Sequence, residues 1–249
     1  MAETIQREQN PAPRKKRRRS FIRCLAALLA LGLLVAVGTR LKSWQEQRQE
    51  SRTVVLVNPW NYLDETKYKA RLVSVDEGMK LDRSCASKLK SMLADCAAAG
   101  YDPQLLSAYR SREEQEELFS ERVRQLVESG FETEQAEDLA AGTVARPGAS
   151  EHELGLAVDI VDRGTPVTDA AQARTGTQRW LMENAWRYGF ILRYPEGTSE
   201  ITGAPYEPWH YRYVGEATAF QIYSLGITLE EYSSLFYNEE AEIVFDEAE

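Results

Sequence analysis

The chain has 249 residues, 28% charged and 43% hydrophobic, which suits one sizeable folded domain with an appendage. Its charge of −9 is unevenly spread: residues 1–42 carry ten Lys/Arg and two Asp/Glu, leaving 20 basic and 37 acidic residues for 43–249. The net of −17 on that larger part excludes the basic footprint that nucleic-acid binding requires, so no nucleic-acid partner is expected.

The amino-terminal part explains the asymmetry. Arg14 to Arg19 is an unbroken basic run, which alone would read as a nuclear or nucleic-acid patch. The uncharged stretch from Cys24 to Gly38 follows it, and Phe21 to Thr39 is broken only by Arg23. Such a segment is short for a membrane span but workable if Arg23 and Arg40 snorkel to the interfaces. A cleaved signal has a similar layout, although Val35-Ala36-Val37-Gly38 offers only a weak cleavage site. The expected organisation is a cytoplasmic basic tail (1–20), a transmembrane signal anchor (21–40), a polar stalk (41–52), a folded domain (53–238) and an acidic tail (239–249). Positive charge before the anchor puts the amino terminus in the cytoplasm and the folded domain outside.

Within the domain, Thr53 to Val57 reads as a short strand that ends at Asn58-Pro59. Asp82 caps a helix running to about Ala99, stopped by Gly100. Cys85 and Cys96 both fall on it, roughly 16 Å apart along the axis, too far for a disulfide. Cys24 lies in the anchor, so the fold must rest on its core. Gln104 to Tyr109 reads as a strand delivering Arg110, and Ser111 with Glu114 forms a capping box that opens a helix to about Glu128. Glu132 to Ala141 is a short acidic helix. Thr177 to Tyr188 is a helix with Trp180, Leu181, Ala185 and Trp186 as its apolar stripe. Phe190 to Tyr194 reads as a strand, and Pro195 to Pro205 as a loop bordering a cleft. Trp209 to Val214 is a strand, and two helices, Gly215 to Leu225 and Thr228 to Tyr237, close the domain. Interspersed strands and helices with few strand-helix-strand units argue an α+β fold.

Two stretches carry chemistry. The chain has only two histidines, His152 in SEHELGLAVDIVD (150–162) and His210 in Glu207-Pro208-Trp209-His210. As a strand, the first stretch puts Leu154, Leu156, Val158 and Ile160 on one face, and Gly155, Ala157 and Asp159 on the other. Two minimal side chains thus clear the way for a carboxylate. Seven extended residues span roughly 23 Å, so His152 and Asp159 meet only if a turn at Gly155 folds the histidine back. Glu207 and His210 would lie on opposite faces of a regular strand, and Pro208 favours a bend between them. Two imidazoles and one carboxylate make a zinc site with a fourth position open for water, and Glu207 is then the candidate general base. The plain alternative is two structural histidines beside an acidic surface.

SEHELGLAVDI and EPWHYRYVG, preceded by SAYRSREEQEELF, resemble the zinc D-alanyl-D-alanine carboxypeptidases of the VanY type, from about Val54 to Tyr237. The resemblance implies zinc held by His152, Asp159 and His210, with Glu207 as catalytic base and Arg110 stabilising the transition state. Ser150, Tyr109 and Gln115 fall at matching positions and are expected to contact substrate; for Gln115 a solvated helix position is the alternative. Ala108 replaces a glycine frequent before Tyr109-Arg110, Glu153 stands where glutamine is frequent, and LVNPWNYLD carries Pro59 and Trp60 where relatives often have a lysine-containing version. These departures bear on substrate detail rather than on the ligands.

The implied fold is that shared with the Hedgehog signalling domain: a small central antiparallel sheet with flanking helices, here preceded by the transmembrane helix. The implied activity is removal of the terminal D-alanine from peptidoglycan stem peptides ending in D-Ala-D-Ala, outside the membrane. The alternatives are a dipeptidase acting on free D-Ala-D-Ala, an endopeptidase cutting between L- and D-residues, and a non-catalytic zinc-dependent wall-binding module.

Overall fold

A computed structural model describes Arg40 and residues 52–236; the expected basic tail, anchor, stalk and acidic tail otherwise lie outside the described residues. The chain divides into two units, 1–49 and 50–249, and the second carries the fold described here. No helix among the described residues is long and apolar enough to cross a membrane.

Strands β1 (Leu72–Asp76) and β2 (Met79–Asp82) form an antiparallel hairpin ahead of helix α1 (Arg83–Ala98). Then come β3 (Pro103–Ser107), α2 (Arg112–Glu128), α3 (Thr133–Ala141) and β4 (Ala157–Asp162). Next are α4 (Gly176–Asn184), β5 (Phe190–Leu192) and the single turn α5 (Ser199–Thr202). Strand β6 (His210–Tyr213) and helices α6 (Glu216–Leu225) and α7 (Leu229–Phe236) complete the unit. The main sheet is antiparallel, in the order β3-β4-β6-β5. This is the expected α+β arrangement, with β4 and β6 at its centre.

The alternation read from the sequence sets the sheet on its core. Leu154, Leu156, Val158 and Ile160 are all buried and join Leu89, Met92 and Cys96 of α1 and Leu181 of α4 in one cluster. Each such side chain contributes about 1.5–3 kcal/mol of burial, so the back of β4 is the anchor of the sheet. Helix α1 begins where Asp82 caps it, one carboxylate oxygen accepting from the Ser84 amide at 2.9 Å and the other from the Arg71 amide at 2.7 Å. Cys85 and Cys96 are buried and free. Ser111 and Glu114 form both halves of the capping box on α2.

Several elements differ from expectation, including the helical turn α5, which falls inside the expected Pro195 to Pro205 loop. Thr53 to Val57 is not a strand: Val54 and Val57 are buried, but the Thr53 and Val55 carbonyls accept from the Arg212 guanidinium at 3.0 and 2.7 Å instead of from a neighbouring strand. An apolar run signals burial, and here a side chain supplies the donors a ladder would have given. The β1–β2 hairpin has no counterpart in the sequence reading, because its strands are short and half exposed and lack alternation. The helix expected over Thr177 to Tyr188 ends as α4 at Asn184 and continues as a 3-10 turn, Ala185–Tyr188.

Gly155 holds the left-handed conformation at φ 67, and an added Cβ would meet Leu72, Ala70 and the Asp82 amide at 3.2–3.3 Å. Gly155→Ala is therefore expected to lose roughly 1–3 kcal/mol, read as a lowered urea midpoint with unchanged slope.

Candidate metal centre

The two histidines reach the same place by different routes. His152 sits on a 3-10 turn, Glu151–Leu154, that Gly155 closes before β4 begins. This is the fold-back that the spacing demanded. Asp159, in the middle of β4, pairs in register directly opposite His210 at the start of β6. Directly opposed residues of an antiparallel pair share a face, so the sheet itself delivers the carboxylate to the second imidazole. Pro208 and Trp209 form the turn before β6, closed by the His210 amide donating to the Glu207 carbonyl at 3.1 Å. That turn puts the Glu207 carboxylate 3.8 Å from His210 Nδ1.

His152 Nε2 lies 3.3 Å from Asp159 Oδ2, and His210 Nδ1 lies 3.1 Å from Asp159 Oδ1. The imidazole centroids are 5.0 Å apart with their planes at 87°. One ligand atom from each of His152, Asp159 and His210 lies within 4.8 Å of the others. Two imidazole nitrogens and a carboxylate at such separations suit a tetrahedral divalent ion after a small contraction. His152 also has its other nitrogen, Nδ1, held by the Ala108 carbonyl at 2.6 Å, which leaves Nε2 facing the cluster.

Burial separates the neighbouring carboxylates. Burial alone would raise Asp159, but the His152 and His210 imidazoles hold it well below the usual carboxylate range. Glu207 hydrogen-bonds to neither imidazole, and burial pushes its carboxyl up to about 7 against the opposing pull of nearby His210, with Asp159 adding to the rise. Burial disfavours a cationic His210, yet the carboxylates of Asp159 and Glu151 raise it to about 9. Burial together with nearby Arg110 lowers His152. A bound cation would invert this pattern by favouring neutral imidazoles and ionised carboxylates.

A cleft of about 550 Å³ opens onto the cluster. Its lining includes Arg110, Gln115, Ser150, His152, Asp159, Glu207 and His210, so it gathers every site residue expected from the sequence except Tyr109. Arg110 donates to Gln115 Oε1 at 2.7 Å, and its buried Nε has no partner. Gln115 is fully buried on α2 and donates to the Ala145 carbonyl at 2.7 Å, so it ties Arg110 to the loop before Ser150 rather than facing solvent. Glu153 accepts from the Gly148 amide at 2.7 Å and pairs with Arg112, fixing the same loop. Ser150 is buried at the cleft wall.

The sequence reading missed the charges behind His210. Glu151, Arg193 and Arg212 are buried there, and the Tyr194 ring packs against the His210 ring at a tilt of 39°, with centroids 4.9 Å apart. One signal was legible: Arg212 stands two residues after His210 on a strand, hence on the same buried face. Its pairing with Ala157 leaves room for the guanidinium.

The comparisons with known proteins agree with this geometry. Residues 78–216 match the family described as VanY: D-alanyl-D-alanine carboxypeptidase. A D-alanyl-D-alanine carboxypeptidase of Enterococcus faecalis (strain ATCC 700802 / V583) is 40% identical over 193 residues, 77% of this chain and 70% of that protein. The chain belongs to this family of metallopeptidases. Among solved structures, VanYB in complex with D-alanine-D-alanine superposes with a TM-score of 0.66 at 40% identity, over 73% of this chain and 97% of that one. A mutant of the vancomycin resistance D,D-pentapeptidase VanY from a VanB-type cassette, in complex with Zn(II), gives a TM-score of 0.65 at 40% identity, over 73% and 98%. The VanY relatives share the α+β fold.

Purified protein is expected to bind about one zinc ion per chain, and His152→Ala or His210→Ala to lose most of it. Metal analysis after dialysis checks this; full zinc content in both single variants would overturn the ligand assignment.

Proposed function

We propose that the protein is a membrane-anchored, extracytoplasmic zinc D,D-carboxypeptidase that removes the terminal D-alanine from peptidoglycan stem peptides. The observation that carries this reading is the convergence of His152, Asp159, His210, Glu207 and Arg110 on one cleft. The donor set favours zinc, and the VanY relative in complex with Zn(II) supports that choice. The VanYB complex with D-alanine-D-alanine supports a substrate ending in that dipeptide.

Zinc held by His152, Asp159 and His210 would polarise the scissile carbonyl and make water a stronger acid. The chain's own residues do the rest. Glu207, half-buried and not hydrogen-bonded to either imidazole, takes a proton from the attacking water and returns it to the leaving D-alanine amine. Arg110, anchored through Nη1 on Gln115 with Nε unpaired at the site, offers a fixed cation to the developing oxyanion. Ser150 and Gln115 at the cleft wall, with Tyr109 beside Arg110, are the proposed substrate-positioning residues.

Residues 21–40 are the proposed anchor, with Met1 to Arg19 inside and the folded unit outside. An external domain suits the wall polymer better than a free dipeptide precursor, which is cytoplasmic. Protease added to intact spheroplasts is expected to digest the folded unit and spare the basic tail. Protection of the folded unit would reverse the topology, and a mature chain beginning near Thr39 would mean a cleaved signal.

Mass analysis after incubation with a pentapeptide stem is expected to show loss of one alanine. Loss of a dipeptide, internal cleavage, or binding without cleavage would each point to a different activity. Glu207→Gln keeps size and removes the proton-accepting charge, so zinc content should hold while turnover falls by about two to four orders of magnitude. Arg110→Ala should also keep zinc and lose roughly two to three orders. A glutamine variant that releases D-alanine at the wild-type rate would remove Glu207 as the base.

A further inference from the structure

Glu151 lies between Ser150 and His152 at the cleft, and its side chain is fully buried. One carboxylate oxygen, Oε1, accepts from Arg193 Nε at 2.7 Å and from Arg212 Nη1 at 2.6 Å. The other, Oε2, receives neither arginine. It lies 3.5 Å from His210 Nε2, and these two buried atoms have no hydrogen-bond partner. A carboxylate that served only to neutralise two arginines would have no need to aim its free oxygen at an imidazole.

The two imidazoles face the cluster through different nitrogens. His152 presents Nε2 and has Nδ1 on the Ala108 carbonyl; His210 presents Nδ1, so Nε2 points away from the cluster towards Glu151. A half-turn of the His210 ring would put carbon in both places: Cδ2 at the cluster and Cε1 opposite Glu151. Tyr194 packs against the ring at a tilt of 39°, but that apolar contact cannot tell the two orientations apart. A hydrogen-bond acceptor can. An imidazole that donates N–H from Nε2 has its lone pair on Nδ1, and a carboxylate partner makes that lone pair more basic.

We infer that Glu151 is the positioning residue of His210: its Oε2 accepts the Nε2–H hydrogen bond, fixing the tautomer and ring orientation that present Nδ1 to the metal. Arg193 and Arg212 hold the carboxylate in place, and Arg193 is itself held by a two-pronged pair with Glu230 of α7 at 2.6 and 2.9 Å. This rests on the zinc reading of the cluster.

The chain's two histidines make the test direct, since only two imidazole rings contribute to a long-range ¹H–¹⁵N spectrum. In the zinc-loaded full-length protein, His210 is expected to show a protonated Nε2 and a ligated Nδ1. Glu151→Gln is expected to weaken zinc binding by about 10–100-fold in chelator competition. Glu230→Gln loosens Arg193 without touching His210 and should cost clearly less affinity than Glu151→Gln. Ligation through Nε2 in the wild type, unchanged affinity in Glu151→Gln, or an equal loss in Glu230→Gln would each overturn the assignment. Should Glu151→Gln fail to fold, the wild-type spectrum alone decides. Absence of zinc uptake by the wild type would sink the metal reading itself, whereas uptake with the wrong nitrogen sinks only this inference.

Discussion

The register between β4 and β6 is the constraint on which the site depends. Asp159 opposite His210 is one rung of an antiparallel ladder, and a slip of one residue would turn one side chain to the opposite face of the sheet. Register is strongly specified where one face is buried, and here Leu156, Val158 and Ile160 bury that face against α1. Core packing on one side of the sheet therefore sets the metal geometry on the other. Gly155 adds the third ligand by turning the chain sharply just before the strand begins.

Behind the ligands lies a charge cluster that would be costly if incomplete. Burial alone would raise Glu151, yet Arg193 and Arg212 keep its carboxyl well below the usual range. Taking ions out of water costs several kcal/mol each, so such a cluster persists only when nearly every donor and acceptor is matched. Arg212 satisfies this by also serving the Thr53 and Val55 carbonyls, and Arg193 by reaching Glu230, which in turn accepts from Asn58 at 3.0 Å. The leading segment and the last helix are thereby fastened to the back of the site. Those links hold the Thr53 to Val57 segment in place without a strand ladder, with Val54 and Val57 buried.

In front of the ligands, the environment divides two carboxylates by task. Asp159 is engaged by both imidazoles and held ionised, which suits a ligand. Glu207 is somewhat less buried and lacks those hydrogen bonds, and its carboxyl rises to about 7, which suits a group that must take and return a proton. Their separation follows from the turn at Pro208, which sets Glu207 beside the cluster and outside the ladder.

The sequence alone determined the candidate ligand residues and most elements. Two histidines, a cleared strand face and a proline between Glu207 and His210 left few arrangements, and caps at Asp82 and Ser111 marked helix starts through purely local hydrogen bonds. It also required His152 to lie across a turn, because chain geometry forbids the alternative. Only the tertiary structure decided which nitrogen of each imidazole faces the cluster, that Glu151 turns inward, and that Arg193, Arg212 and Glu230 meet it. Those partners lie 37 to 61 residues apart, and their types predict exposure. Local propensity acts over a few residues and is legible in order; a buried ion cluster exists only once distant strands and helices have excluded water from it.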